Sequence, residues 1–372
     1  MEKLPMTQRF LVALVVCLVG GRALPGVAQS VGSADSRSSS RVPALDGEVP
    51  EFAVHLNLRR AVASPIGQMV LETIARHEPE FESKLASFAE AAGLDPRSEI
   101  HEIAIWGDLL EGDNPLAAAS AAGAASMPRV VVRLGSRPGN LEGWLLAAPG
   151  YESTSLDDET LLHSFLIPQE GRRNRGERKY PAKVSAGEER ANQAPDDEAS
   201  STRVWCAIAR LPHDDCYVVV AAFDEQAVVR LVQRIRAEGL SLVQSQLAGD
   251  EVLHVSLEKM PSLEIDPQQP GAGLIASVQG LQVAVKSTSQ ALEVRADVAT
   301  GSPAKARQIS QLLTGLMALM ELAADDVDPE AQKMMALVRG RAKFEHEEGS
   351  SHLSGWMTLE NELVRSVLEN AR

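Results

Sequence analysis

The sequence predicts an α+β protein, a largely antiparallel sheet or sheets with helices packed on one face. Three observations carry this. Short segments alternate apolar and polar residues with the period of a half-buried strand. Helical stripes come in groups between runs of strands, which argues against a doubly wound fold. Finally, the order strand, Ser-Pro helix, Pro-Glu helix, glycine, strand occurs twice, which leaves two readings open: an internal duplication of that unit, or helix starts that share common capping chemistry. With 372 residues, 44 % apolar and 23 % charged, the chain is long enough for a substantial core. This composition excludes a wholly disordered, collagen-like or multi-span membrane protein.

Lys3 and Arg9 precede the apolar run Phe10–Val19, and small residues follow at Gly26 and Ala28. A charged start, a short apolar core and small residues at the cleavage positions read as a secretory signal peptide over residues 1–28. The apolar run is about ten residues, against the ~20 a spanning helix needs. Cys17 lies within that run behind Val15-Val16, without the small residues a lipoprotein signal requires. The expectation is cleavage after Ala28 and an extracytoplasmic product, periplasmic or secreted, with no stable membrane span. Residues 29–49, rich in Ser, Arg and Gly, read as a disordered leader.

An N-terminal α+β unit is expected over residues 50–170. Phe52, Val54, Leu56 and Leu58 alternate with Ala53, His55 and Asn57, a half-buried strand. Ser64-Pro65 then supplies a cap and a first-turn proline. Ile66, Met69, Val70 and Ile74 form the stripe of that helix. Glu78-Pro79-Glu80 opens a second helix with Phe81, Leu85, Phe88 and Ala92 on one side and Gly93 as its stop. A strand over Glu99–Trp106 follows, then strands near Val130–Leu134 and Thr160–Ile167, with a short helix over Asn140–Ala147. Residues 114–127, rich in Ala, Gly and Ser, read as a loop. Residues 171–201 read as a low-complexity charged loop, basic at Arg172–Lys179 and acidic at Asp196–Glu198.

The C-terminal α+β unit is expected over residues 202–372. Strands Val204–Ala209 and Cys216–Ala222 form a hairpin, and the run Tyr217–Phe223, apolar on both faces, reads as a central strand. Asp224 caps a helix carrying Val228, Leu231, Val232 and Ile235. Strands follow at Val252–Leu257 and Ala276–Lys286. The second copy of the unit begins with Leu292, Val294, Ala296 and Val298. It continues with a Ser302-Pro303 helix through Ile309, Leu312, Leu313, Leu316, Met317 and Met320, and a Pro329 helix with Met334 and Met335. The strand Arg341–His346 closes it.

Two cysteines remain after cleavage, Cys206 and Cys216. A hairpin pivoting on Leu211 would bring them face to face and allow a disulfide. A turn at Pro212–Asp215 would instead set Cys206 opposite a residue near Val220. Turn chemistry favours the second register.

Motifs that carry chemistry are absent: no phosphate loop, dinucleotide fingerprint, HExxH, nucleophile elbow or calcium loop. No catalytic, cofactor-binding or metal-binding residue is assigned, and no cofactor is implied. His346 and His352 flank a turn, but a two-residue turn at Glu348-Gly349 sends them to opposite faces. His77, His101, His163 and His254 form no spaced set with a nucleophile, and His254 shares a strand face with Ser256. Asp157-Asp158, Asp214-Asp215 and Asp325-Asp326 stand where turns and helix starts use aspartate for backbone hydrogen bonds. The four tryptophans, Trp106, Trp144, Trp205 and Trp356, fall in separate elements as core anchors. Acidic residues exceed basic by 51 to 36 and aromatics are 4 %, which speaks against nucleic acid and anionic membrane surfaces.

Ser64-Pro65-Ile66-Gly67, Gly93-Leu94-Asp95-Pro96, Trp106-Gly107-Asp108 and the late Leu313-Thr-Gly-Leu-Met-Ala-Leu319 segment resemble a group of uncharacterised exported bacterial proteins over roughly residues 50–370. The resemblance implies export and this layout, and brings no activity, cofactor or catalytic residue with it. The functional expectation is therefore an exported non-enzymatic protein that binds a protein partner or supports the cell envelope. Two alternatives stay open. A hydrophobic-ligand carrier would need an apolar cavity of at least ~300 Å³. An exported hydrolase would need two carboxylates, or a histidine and a carboxylate, to converge in one pocket.

Overall fold

A computed structural model describes residues 50–108, 128–168, 201–211, 215–238, 251–259, 273, 276–323 and 341–370. The signal segment, the leader, both expected loops, the Pro212–Asp214 part of the hairpin turn, Asp325-Asp326 and the Met334-Met335 helix lie outside these residues.

Twelve strands form one sheet, and every pairing is antiparallel. They are β1 (Phe52–Leu56), β2 (Ile100–Gly107), β3 (Arg129–Leu134), β4 (Glu152–Ser155), β5 (Leu161–Pro168), β6 (Ser201–Arg210), β7 (Tyr217–Ala222), β8 (Glu251–Leu257), β9 (Val278–Ser287), β10 (Ala291–Thr300), β11 (Ala342–His346) and β12 (His352–Glu360). Their order across the sheet is β11-β12-β10-β9-β8-β1-β2-β3-β7-β6-β5-β4. The helices are α1 (Leu58–Ala63), α2 (Pro65–His77), α3 (Phe81–Ala92), α4 (Leu141–Leu145), α5 (Glu225–Glu238), α6 (Pro303–Ala323) and α7 (Asn361–Asn370). The architecture is α+β with a large antiparallel sheet.

The helices begin and end where side chains satisfy their free backbone groups. Asn57 accepts from the Arg60 amide and so turns the chain out of β1 into α1, two residues before the alternation at Leu58 would end. Ser64 accepts from the Gly67 amide ahead of Pro65 at the start of α2. Gly93 closes α3 with φ of +62°, a left-handed conformation that glycine adopts without strain. Asp224 accepts from the Gln226 and Ala227 amides at the start of α5.

Both sheet faces are covered near the middle, where the sequence pattern predicts helices on one face only. Ala53, Ala104, Trp106, Val131, Val218 and Val220 are buried with Ala227, Val228, Leu231, Val232 and Ile235 of α5. The alternate residues Ile103, Ile105, Val130 and Val132 pack with Phe88 and Ala92 of α3. Phe88 meets Trp144 of α4 edge-on, with ring centroids 6.1 Å apart. The reason is visible in β7, flanked by β3 and β6: a central strand with two apolar faces needs a cover on each.

Strands from the two expected units interleave, β1 pairing with β8 and β3 with β7. The repeated stretches are not paired alike. β1 bonds directly to β2, whereas β10 and β11 each bond to β12. In the β11–β12 hairpin His346 lies opposite Leu353 and Phe344 opposite Gly355. The register is shifted by two residues from the one a turn at Glu348-Gly349 gives, and His346 and His352 still face opposite ways. The Phe344 ring lies where a Cβ on Gly355 would stand, 2.9 Å from it.

Candidate functional site

Strand parity puts His55 on the face shared with Ala53, and Glu102 on the face shared with Ala104 and Trp106. That face forms the core beneath α5, so polar side chains there are costly unless they are paired. His55 is 2 % exposed and Glu102 8 %. His55 lies directly opposite His254 of β8, which is also buried, as is Ser256 on the same face. Arg133 of β3 lies opposite Glu102.

A row of polar groups therefore crosses β8, β1, β2 and β3. His254 Nδ1 is 3.7 Å from Glu251 Oε2. His55 Nε2 is 3.8 Å from Glu102 Oε2, and Glu102 Oε1 is 3.6 Å from Arg133 Nη1. Arg133 Nη2 continues to Cys216 Sγ at 3.8 Å. The three histidine, carboxylate and arginine contacts are ion-pair separations, longer than hydrogen bonds, whereas Arg133 donates a hydrogen bond to the Cys216 sulfur. Neither ring nitrogen of His55 has a hydrogen-bond partner, and neither does Glu102 Oε2. At the outer end Arg60 donates to the Glu251 carbonyl at 3.3 Å.

Burial pushes the Glu102 carboxyl up, but the His55 imidazole and the Arg133 guanidinium together outweigh it and hold it below the usual 4.5. His101 is the extra residue of a bulge between Ile100 and Glu102. Burial first, then the charges of Arg59 and Arg133, lower its affinity for a proton. Its ring leaves no space at Gly135, where a Cβ would stand 2.5 Å from Nε2.

The arrangement can exchange protons, since two imidazoles stand beside two carboxylates. Among the described residues the nearest nucleophiles are engaged elsewhere: the Ser256 hydroxyl donates to Glu258 at 2.9 Å, and the Cys216 thiol lies at the far end of the row against Arg133. Among the described residues no three His, Cys, Asp or Glu side chains are grouped to hold a metal ion.

The remaining sequence candidates go elsewhere. The disulfide does not form: Cys206 pairs with Ala221 rather than with a residue of the turn, and both thiols are free. Cys206 packs with Phe165 and Ile167, while Cys216 packs on the opposite face, against the α5 core. Burial pushes the Cys206 thiol up to about 12, which makes it inert. His163 is 1 % exposed, its Nδ1 2.9 Å from the Tyr151 hydroxyl. Burial lowers its proton affinity against the pull of Glu142. Asp157 accepts from Arg236 of α5, and this bond holds its carboxyl below the ordinary value. Asp215 pairs with Arg210 at 3.1 Å. His77 and His352 are exposed. Trp106 is buried, and Trp144, Trp205 and Trp356 are half-buried.

Sequence reading missed His55 because alternation assigned Ala53, His55 and Asn57 to the outer face of β1. It assigned His254 and Ser256 away from the apolar Leu253, Val255 and Leu257, yet His254 and Ser256 are the buried set of β8. The available signal was polar residues recurring at core parity on four strands, legible only once the pairing is known.

No family model matches the chain, and no curated protein does. Three crystal forms of the protein TP0453 are similar over most of both chains. Form III aligns at 10 % identity over 87 % of this chain and 96 % of that one, with a TM-score of 0.37. Form I aligns at 10 % identity over 90 % and 97 %, with a TM-score of 0.33. Form IV aligns at 9 % identity over 88 % and 95 %, with a TM-score of 0.37. Scores this low carry no argument about fold or role.

Proposed function

We propose that this chain is an exported, non-enzymatic protein that binds a protein partner, with α6 as the docking element. The observation that supports this best is Leu312, 49 % exposed on a helix with no charged residue from Leu312 to Met320. An uncharged stretch of helix is ordinarily buried, and this one leaves Leu312 in solvent. From Pro303 to Met320 the helix carries two cations, Lys305 and Arg307, and no acidic residue, within a chain of 51 acidic and 36 basic residues. An acidic protein surface with an apolar groove complements it. Export rests on the charged, apolar and small-residue pattern of residues 1–28.

The hydrolase reading draws on the two histidine–carboxylate pairs of the buried row. The enclosure of His55, at 2 % exposure, weighs against substrate reaching it. One experiment separates the readings. A photo-crosslinking residue is placed at Leu312, or at the exposed Arg137 as control, in the full chain in the cell that makes it. A protein adduct of one defined mass at 312 and none at 137 is expected. Equal labelling at both positions, or none at either, would overturn the docking assignment. Turnover of ester, peptide or glycoside substrates that His55→Gln or Glu102→Gln abolishes would replace it with the hydrolase.

A further inference from the structure

β1 is bonded to β8 on one side and to β2 on the other, so it joins the C-terminal strands to the N-terminal ones. Its central buried side chain, His55, reaches across the β1–β2 boundary toward Glu102. The 3.8 Å between Nε2 and Oε2 leaves both atoms without a hydrogen bond. A buried donor or acceptor left unpaired is costly, whereas a hydrogen bond between two charged groups is among the strongest available. A neutral imidazole offers Nε2–H to Glu102 in only one of its two tautomers; an added proton fixes a donor at Nε2 and makes the bond charge-assisted.

We propose that the His55–Glu102 contact is a proton-gated latch between the two halves of the sheet. With the imidazole protonated, Nε2–H donates to Glu102 Oε2 in a charge-assisted bond and ties β1 to β2; with the imidazole neutral, the donor is shared between two tautomers and the tie is weaker. The proton comes from and returns to solvent. The groups around it set the response. Glu102 and the half-buried His101 face it from β2, Arg133 from β3, and His254 and Glu251 from β8. Lys286 lies opposite Glu251 on β9, and Arg59 and Arg60 belong to α1. His254 stands directly opposite His55, so a charge on one imidazole opposes a charge on the other. Glu251 offers His254 its own partner at 3.7 Å. Glu102, held below its ordinary range, stays ionised through mild acid. The closed state thus spans the interval between imidazole protonation and carboxylate protonation.

The test is local, because His101 and His163 drive overall stability the other way on acidification. Amide protection factors for Ala53–Leu56 are measured from pH 8 to pH 5.5 in the whole mature chain, alongside ring-nitrogen NMR of His55. Wild-type protection should rise by about tenfold relative to His55→Gln, the worth of one charge-assisted hydrogen bond. Glu102→Gln should abolish the rise, and His254→Gln should keep it. Protection that does not respond to pH in wild type, or that rises equally in His55→Gln, would overturn the latch. Should His55→Gln fail to fold, the wild type and Glu102→Gln still decide. A His55 Nε2 resonance whose titration is the same in both refutes it.

Discussion

His163 is almost fully enclosed, and that burial decides how it answers acid. His163 has a hydrogen-bonding neighbour in Tyr151, and the pull of the Glu142 carboxylate toward a charge is weaker than the effect of burial. Burial depresses its proton affinity, so the unfolded chain takes the proton more readily. Its contribution to stability is therefore complete above the ordinary imidazole value of about 6.5 and is lost as pH falls below it. The urea midpoint of the wild type should drop between pH 8 and pH 5.5. His163→Gln, which keeps a partner for Tyr151, should cost about 1–2 kcal/mol at pH 8 and flatten that dependence. A drop of unchanged steepness in the variant would assign the effect to other groups, His101 first among them.

At the scale of elements, the junction of α1 and α2 shows why a short motif is built as it is. Ser64 accepts from the Gly67 amide and donates to the Ala61 carbonyl at 2.7 Å, so one hydroxyl serves the end of one helix and the start of the next. Pro65 has no amide to leave unpaired at the first position. At Gly67 the Ala61 carbonyl oxygen lies only 1.8 Å from where a Cβ would stand, so the two helices can meet only over a glycine. Ser64→Ala should cost about 1 kcal/mol, and Gly67→Ala about 3 kcal/mol because backbone must move. Urea titration of both variants checks the order, and a Gly67→Ala loss no larger than that of Ser64→Ala would contradict it. Elements of this kind were legible in the sequence, because caps, prolines and stop glycines act locally. Most strands and α2, α3 and α5 lie within a few residues of their expected places. α1, β4 and α7 were not foreseen. β4 is four exposed polar residues, Glu152–Ser155, with no alternation to read, and its strand character comes only from pairing with β5.

For the molecule as a whole, pairing between distant segments decides what the sequence could not. β3 bonds to β7 and β1 to β8, so neither half of the chain keeps its strands satisfied alone. Residues 202–372 expressed by themselves should show no cooperative unfolding transition by circular dichroism. A sharp transition in that fragment would mean that β7 and β8 tolerate open edges. The candidate site shares this dependence. His55, Glu102, Arg133 and His254 come from four strands, and each looks like an ordinary solvated residue until the pairing places it at core parity.

The place of β1 also bears on how the chain acquires its structure. This strand is made early, yet one of its two neighbours, β8, begins only at Glu251. Until that segment is available, β1 has an unpaired edge and His55 lacks His254 beside it. Contacts so far apart in sequence carry a large loop-closure cost before they return any stability. Folding of the complete sheet should therefore be slow and should finish at its centre, with the joining of β1 to β8 as the late step.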